Sequence, residues 1–207
     1  MPVENFVPTL VTTETPSLGG AYATGLDITP ASNVLVEDGA TGDISFGSGG
    51  DQSKAILLYG MVTESGGIPI ATRINSTATI NAVRVEAKAS YSGAVSSNVI
   101  RAWLKKLSGA STTSGSVLNG LLSGTLSWVS ITNGTIFGSV VLTDIRTAAF
   151  GAYFEFDAIA TGSGSLSLDA LRVVIDYTNG AESTARPRRQ LTRLPDGRLA
   201  AVRARIR

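Results

Sequence analysis

Apolar and polar residues alternate in several stretches of the chain, and the clearest of these lies near residue 175. From Leu171 to Tyr177 the odd positions carry large apolar side chains, whereas Arg172 and Asp176 occupy even positions. Alternation with a period of two is typical of a β-strand that buries one face. The pattern therefore predicts a strand over residues 165–178, which we expect to close the fold.

Further β-rich segments precede this strand, and the first of them has Val83, Val85, Ala87 and Ala89 on one face. The segments lie at residues 83–90, 99–106, 126–131, 136–142 and 150–157. Turn residues separate them at Asn133-Gly134, which favours a type I′ hairpin, and at Gly162-Ser163-Gly164. The spacing predicts an all-β fold, an antiparallel β-sandwich of the jelly-roll-like kind over residues 70–178.

The N-terminal region has a different composition, because five of the seven prolines fall within residues 1–69. Proline opposes helix and is confined to the edges of sheets. Short strands are predicted at residues 6–12, 22–28, 34–36 and 54–63. We therefore expect residues 1–69 to form an extended, partly stranded N-terminal arm.

The net charge of the chain changes sign after Gly180. Residues 181–207 contain eight arginines against Glu182 and Asp196, a net charge of +6, while the remainder has nine basic and 14 acidic residues, a net charge of −5. Segregation of this kind is typical of a terminal segment that binds a partner. Residues 179–207 are therefore predicted to be a basic C-terminal arm.

The residue pattern within the arm predicts a hairpin. Pro195-Asp196-Gly197 is a turn signal, and Val202, Ala204 and Ile206 alternate with arginines. A short helix is the alternative, because some apolar residues also have helical spacing. A hairpin alone is marginal in water and needs a partner surface. We expect docking on the acidic body of a neighbouring subunit, with nucleic acid as the alternative partner and a solvated tail without a partner as the third alternative. The residues expected to make these contacts are Arg186, Arg188, Arg189, Arg193, Arg198, Val202, Arg203, Arg205, Ile206 and Arg207.

Trp103, Trp128 and Tyr153 are candidates for a sugar-stacking platform, because aromatic faces bind carbohydrate in some β-sandwiches. Only 6% of the residues are aromatic, and a tryptophan on a strand is more often a core or interface residue. Both interpretations stay open from the sequence.

Catalytic chemistry has few candidates in this composition. The chain has no Cys and no His, which removes disulfides, thiolate ligands and the usual neutral-pH base. Glu155, Asp157, Asp169 and Asp176 can be considered as paired acids for glycoside hydrolysis or as Ca²⁺ ligands. They can equally be exposed strand residues, and no calcium-loop motif is present. We therefore expect a protein that is not an enzyme and needs no cofactor or metal.

Three strand sequences carry a resemblance to a known class of proteins. They are Ile-Asn-Ala-Val-Arg-Val-Glu-Ala at 80–87, Ile-Arg-Ala-Trp-Leu at 100–104 and Ala-Leu-Arg-Val-Val-Ile-Asp-Tyr at 170–177. Their order resembles that in β-sandwich structural proteins of tailed bacteriophage particles, over about half of the chain. The resemblance implies a head decoration, neck, tail or fibre component, and it brings no catalytic residue.

The expected function is therefore that of a structural protein of a phage particle, most simply a head decoration or cement subunit. Its arms would bind other virion proteins, and the subunit would form a homo-oligomer, a trimer or larger. The alternative is a tail, neck or fibre component whose sandwich binds carbohydrate for host attachment. Because residues 1–6 lack a secretory pattern and no apolar run reaches roughly 20 residues, we expect synthesis in the cytoplasm and no membrane association. The resemblance implies that this cytoplasm is bacterial and that the mature protein is located in the virion.

Overall fold

A long antiparallel ribbon of two strands organises the fold. The computed structural model describes residues 3–14, 27–47, 49–52, 55–111, 115–118, 122, 124–131, 139–181, 190–193 and 199–202. Within these residues, β7 (Thr79–Lys106) and β11 (Gly151–Thr178) pair along almost their whole length. The other strands add to one half of this ribbon or the other.

The remaining elements are short. The strands are β1 (Val3–Val7), β2 (Leu10–Glu14), β3 (Gly42–Phe46), β4 (Gly49–Gln52), β5 (Ala55–Tyr59), β6 (Val62–Thr63), β8 (Gly109–Ala110), β9 (Gly115–Leu118), β10 (Ser127–Ser130), β12 (Gln190–Arg193) and β13 (Leu199–Val202). The helices are a 3-10 turn (Ala31–Leu35), α1 (Ile70–Arg73) and α2 (Leu142–Ile145).

Two antiparallel sheets pack against each other, which confirms the prediction of an all-β sandwich. The first half of β7 and the second half of β11 form one sheet with β10, β3, β1 and β6. The other halves form the second sheet with β9, β4, β5 and β2. Because both long strands take part in both sheets, the ribbon connects them covalently twice.

The core lies between these sheets and contains the residues that the alternation selected. Leu171, Val173, Ile175 and Tyr177 are all at most 1% exposed, and the face of β7 that begins at Val83 is fully buried. Phenylalanine side chains of β11 and aliphatic side chains of β5 complete one continuous apolar cluster. The sequence prediction of the core faces is therefore confirmed.

The predicted turn at residues 162–164 is wrong, because these residues belong to β11. The ribbon changes its register here, and Gly164 pairs with Gly93, whose φ is +118°. A Cβ atom at Gly93 would lie 2.5 Å from the Cα of Gly164. Two facing glycines thus let the backbones approach closely between the two halves, where the sequence suggested a chain reversal.

Two other predicted strands differ from the structure. Residues 34 and 35 belong to the 3-10 turn and Val36 follows it; in this turn the Asn33 amide donates to the Pro30 carbonyl at 3.2 Å. Leu142, predicted to end a strand, begins α2, because the Asp144 carboxylate accepts hydrogen bonds from the amides of Val141 and Leu107. The predicted turn at 133–134 and most of the predicted strand at 22–28 lie outside the described residues.

The first 63 residues contribute strands directly to the body. β1 pairs with residues 173–176 of β11, and β5 pairs with residues 151–154, so strands on both sides of the predicted division at 69/70 share one fold. Over residues 3–14 the N-terminal region thus forms strands of the sandwich. In the C-terminal arm, β12 and β13 pair antiparallel, as the hairpin prediction requires.

Candidate functional site

Charged side chains form a row on the outer face of the first sheet. Arg84, Glu86 and Lys88 alternate along β7 with core residues, so the period of two directs them away from the core. Arg172 of β11 is the direct cross-strand partner of Glu86. In the sequence, this row could be recognised from the alternation of charged residues along the strand. That alternation did not indicate which residues the charges would pair with.

Glu86 and Arg172 form the centre of this row. The Nε atom of Arg172 donates to Oε2 of Glu86 at 2.8 Å, and Nε of Arg84 donates to Oε1 at 2.7 Å. The guanidinium of Arg172 also lies 3.9 Å from the ring centre of Trp128 and 3.5 Å from a carboxylate oxygen of Glu64. Charge pairing and cation–π stacking therefore hold Arg172 in one place.

Asp169 is the buried member of the row, with a fully buried side chain. It is the extra residue of a β-bulge, because Leu168 and Ala170 pair with adjacent residues of β7. The bulge turns its carboxylate towards Lys88, whose Nζ lies 2.7 Å from Oδ2, while Oδ1 accepts from the amide of Gly39 at 3.0 Å. The bulge also explains why even positions are buried before it and odd positions after it.

Lys88 connects Asp169 to the loop before β3. Its Nζ also lies 3.1 Å from Glu37, and the indole NH of Trp128 donates to the same carboxylate at 3.3 Å. Hydrogen bonding to Asp169 first, and to Glu37 second, raises the pKa of Lys88. The charged form of Lys88 is therefore favoured across the physiological range.

These residues make up one connected set, which we call the outer-face network. Its members are Glu37, Asp38, Glu64, Arg84, Glu86, Lys88, Asp169 and Arg172. Asp38 takes part only through its backbone amide, so four carboxylates face three cations and these side chains carry a formal net charge of −1. It fixes the first sheet to the loop before β3 and leaves a negative surface beside it.

The three candidate aromatic residues do not form one platform. Trp103 and Tyr153 are cross-strand neighbours in the second sheet, 5% and 6% exposed, and pack with Leu57. Lys105 donates from Nζ to the Tyr153 hydroxyl at 3.0 Å. Trp128 lies in the first sheet against Arg172. The sequence grouping therefore divides into a packed pair and one half-buried tryptophan that contacts Arg172 and Glu37 of the outer-face network.

The candidate acids are also separated. Glu155 is fully buried and lies 3.4 Å from Arg101, whereas Asp169, 14 residues further along β11, pairs with Lys88. Asp176 accepts a hydrogen bond from Asn81. The interpretation of these acids as exposed strand residues is wrong for Glu155 and Asp169. The two carboxylates also do not converge on one point. The side chain of Asp157 lies outside the described residues.

A second polar cluster joins β1, α1 and the end of β11. The Tyr177 hydroxyl donates to Oε2 of Glu4 at 2.7 Å, and Nε of Arg73 donates to the same atom at 2.7 Å. Burial, followed by the hydrogen bond to Glu4, raises the pKa of Tyr177 to about 12. The hydrogen bond to Glu4 also raises the pKa of Arg73.

Alkaline conditions should therefore destabilise the fold through Tyr177. Since its folded pKa lies above the ordinary value of 10, its contribution is complete below pH 10 and is lost as the pH rises to about 12. We expect Tyr177→Phe to lose less stability between pH 10 and pH 12 than the wild type, measured by urea unfolding. Equal losses in both proteins would contradict this assignment.

The arm leaves the body at a fixed point. The Asn75 amide donates to Oδ1 of Asn179 at 2.9 Å, Nδ2 of Asn75 donates to the Gly180 carbonyl at 2.8 Å, and Nδ2 of Asn179 donates to the Arg73 carbonyl at 3.2 Å. A Cβ atom at Gly180 would lie 2.5 Å from the Thr77 carbonyl oxygen. These contacts hold the chain through Gly180, at the start of the arm.

Of the predicted arm contacts, Arg193 lies in β12 and Val202 in β13, and only their backbones are described. The others lie outside the described residues: Arg186, Arg188, Arg189, Arg198, Arg203, Arg205, Ile206 and Arg207.

Within the described part of the chain, no helix is long and apolar enough to cross a membrane. Among the same residues, no group of three or more acidic, His or Cys side chains can hold a metal ion. No protein-family model matches the sequence, and comparison with curated proteins gives no match.

Proposed function

We propose that this chain is a non-enzymatic structural subunit of a tailed-phage particle, a head decoration or cement protein. Its C-terminal arm binds neighbouring subunits, and the sandwich provides the surface on which such arms dock. The observation that carries the proposal is the division of charge, +6 in the arm against −5 in the rest of the chain. Opposite net charges on two parts of one subunit favour association between copies.

The body supports this role because its buried charges serve the fold. Glu155 pairs with Arg101, and Asp169 pairs with Lys88 and two backbone amides. Such pairing uses the acids for structure, whereas acid–base catalysis by two acids requires that they flank one bond. The hydrogen bonds that fix the chain at Gly180 also give the arm a defined starting direction.

Deletion of residues 181–207 tests the proposal. We expect the shortened chain to remain folded, because its core cluster lies entirely before residue 178, and to lose self-association in sedimentation experiments. The full-length chain should associate in 50 mM salt and dissociate in 1 M salt, where the Debye length falls to about 3 Å. Equal association of the two chains at every salt concentration would disprove the arm hypothesis.

The alternative function, carbohydrate binding by a tail, neck or fibre component, receives less support. Trp103 and Tyr153 are buried, and Arg172 covers one face of Trp128. A glycan panel tests it directly, since binding that is lost in Trp128→Ala would favour attachment to a host surface. Nucleic acid as the partner of the arm would appear as salt-sensitive binding of the full chain to DNA.

A further inference from the structure

A groove lies next to the outer-face network, at the end of β1. Apolar side chains and one threonine form most of its lining, namely Val7, Pro8, Thr9, Leu35 and Val36, and Glu37 and Glu64 complete it. Its volume is about 530 Å³, within the range of roughly 300–1,000 Å³ that is usual for ligand pockets. The groove therefore has the size and the mixed lining of a binding site for a short peptide segment.

Val36 and the two glutamates give this groove its chemistry. Val36 is 59% exposed, although its side chain is apolar. The side chains of Glu37 and Glu64 remain 41% and 39% exposed while they contact Lys88 and Arg172. An apolar surface with partly exposed carboxylates suits a partner that presents apolar and cationic groups together.

We propose that the groove binds the C-terminal segment, residues 202–207, of a second copy of this chain. The inference rests on the proposed function and assigns the docking surface that the function requires. Apolar side chains of the segment would lie against Val36 and Leu35, and its arginines would pair with Glu37 and Glu64.

The sequence of the segment matches this lining. In an extended chain, Val202, Ala204 and Ile206 share one side, and Arg203, Arg205 and Arg207 share the other. Arginine side chains are long enough to reach carboxylates at the rim while the apolar side contacts the floor. Arginine also pairs with carboxylates through two parallel hydrogen bonds, which gives the contact a defined geometry.

Electrostatics around the groove favour the same occupant. The paired side chains of the outer-face network have a formal net charge of −1, and Glu37 and Glu64 belong to them. Three arginines in the segment would more than neutralise this charge. Docking of each arm on the next body is a heterologous contact, which closes into a ring when the rotation between subunits permits. This arrangement agrees with the expected trimer or larger oligomer.

The absence of cysteine from the sequence makes a cross-linking test specific. A chain carrying Val36→Cys is mixed with a chain carrying Ile206→Cys and a mass tag, under mild oxidation with glutathione. Val141→Cys replaces Val36→Cys in the control, because Val141 is 56% exposed and does not line the groove. We expect the groove variant to form the mixed disulfide dimer at least tenfold faster than the control. This difference should disappear in 1 M salt.

Several results would overturn the inference. Equal rates for the Val36→Cys and Val141→Cys chains would show that the segment does not dock in this groove. A doubly substituted chain, Val36→Cys with Ile206→Cys, that forms only an internal disulfide at all concentrations would show that the arm docks on its own body. If the arm deletion abolishes self-association while the two rates are equal, the proposed function stands and only the groove assignment fails.

Discussion

Replacement of Asp169 by alanine is expected to lower the free energy of unfolding by about 3 kcal/mol, the low end of the range for breaking a buried ion pair. The carboxylate is fully buried and pairs with Lys88 at 2.7 Å. It also accepts hydrogen bonds from the amides of Asp38 and Gly39. The low end of the range applies because Lys88 keeps Glu37 as a second partner.

Two further variants separate the contributions to this loss. Asp169→Asn keeps an oxygen that can accept from the Gly39 amide but removes the charge facing Lys88, so it should lose an intermediate amount of stability. Asp176→Ala is the matched control on the same strand, since Asp176 is only partly buried and its carboxylate accepts a hydrogen bond from the Asn81 side chain. We expect a loss below about 1 kcal/mol for the control. Urea unfolding measures all three, and equal losses for Asp169→Ala and Asp176→Ala would contradict the role of the buried pair.

The second large effect is expected at Gly93, where alanine should destabilise the fold by about 3 kcal/mol or more. Its φ of +118° is unfavourable for any residue with a Cβ atom. The added Cβ would also lie 2.5 Å from the Cα of Gly164 and 2.8 Å from the carbonyl oxygen of Ser163. Both contacts are with backbone atoms, so a side-chain rotation cannot relieve them.

Gly66 provides the matched control for Gly93. Its φ is +120°, and a Cβ atom there would meet nothing within 4 Å. Gly66→Ala should therefore show only the conformational strain, of order 1 kcal/mol, while Gly93→Ala adds the clash between the two strands. Thermal unfolding of both variants gives the comparison. If the two variants are equally stable, the close approach of the strands at Gly93 does not limit the fold.

The Asp169 and Gly93 variants also test whether the fold and the docking surface depend on each other. Asp169 and Lys88 hold Glu37 at the rim of the groove, because Lys88 contacts both acids. A variant that breaks the pair while the body stays folded should therefore also slow the cross-link between Val36→Cys and Ile206→Cys. Gly93 lies outside the network, so its substitution should change stability without this specific effect on docking.

How far the sequence anticipated the candidate site differs from residue to residue. Arg84, Glu86 and Lys88 were visible as the polar side of a strand, but Glu37 and Glu64 come from loops far away in the chain. The three aromatic candidates were grouped by residue type, and the structure separates Trp128 from the other two. No local pattern indicated that Val36 would be exposed beside two carboxylates.

The sequence by itself determined which strand faces are buried, because a side-chain period of two is a local property of an extended chain. It also determined the charge of the arm, since the eight arginines are there whatever the fold. Only the tertiary structure decided that residues 79–106 and 151–178 continue through both sheets, that Asp169 occupies a bulge, and that N-terminal strands complete the sandwich. These features depend on pairing between residues distant in sequence, where a single extra residue on one strand changes every partner that follows.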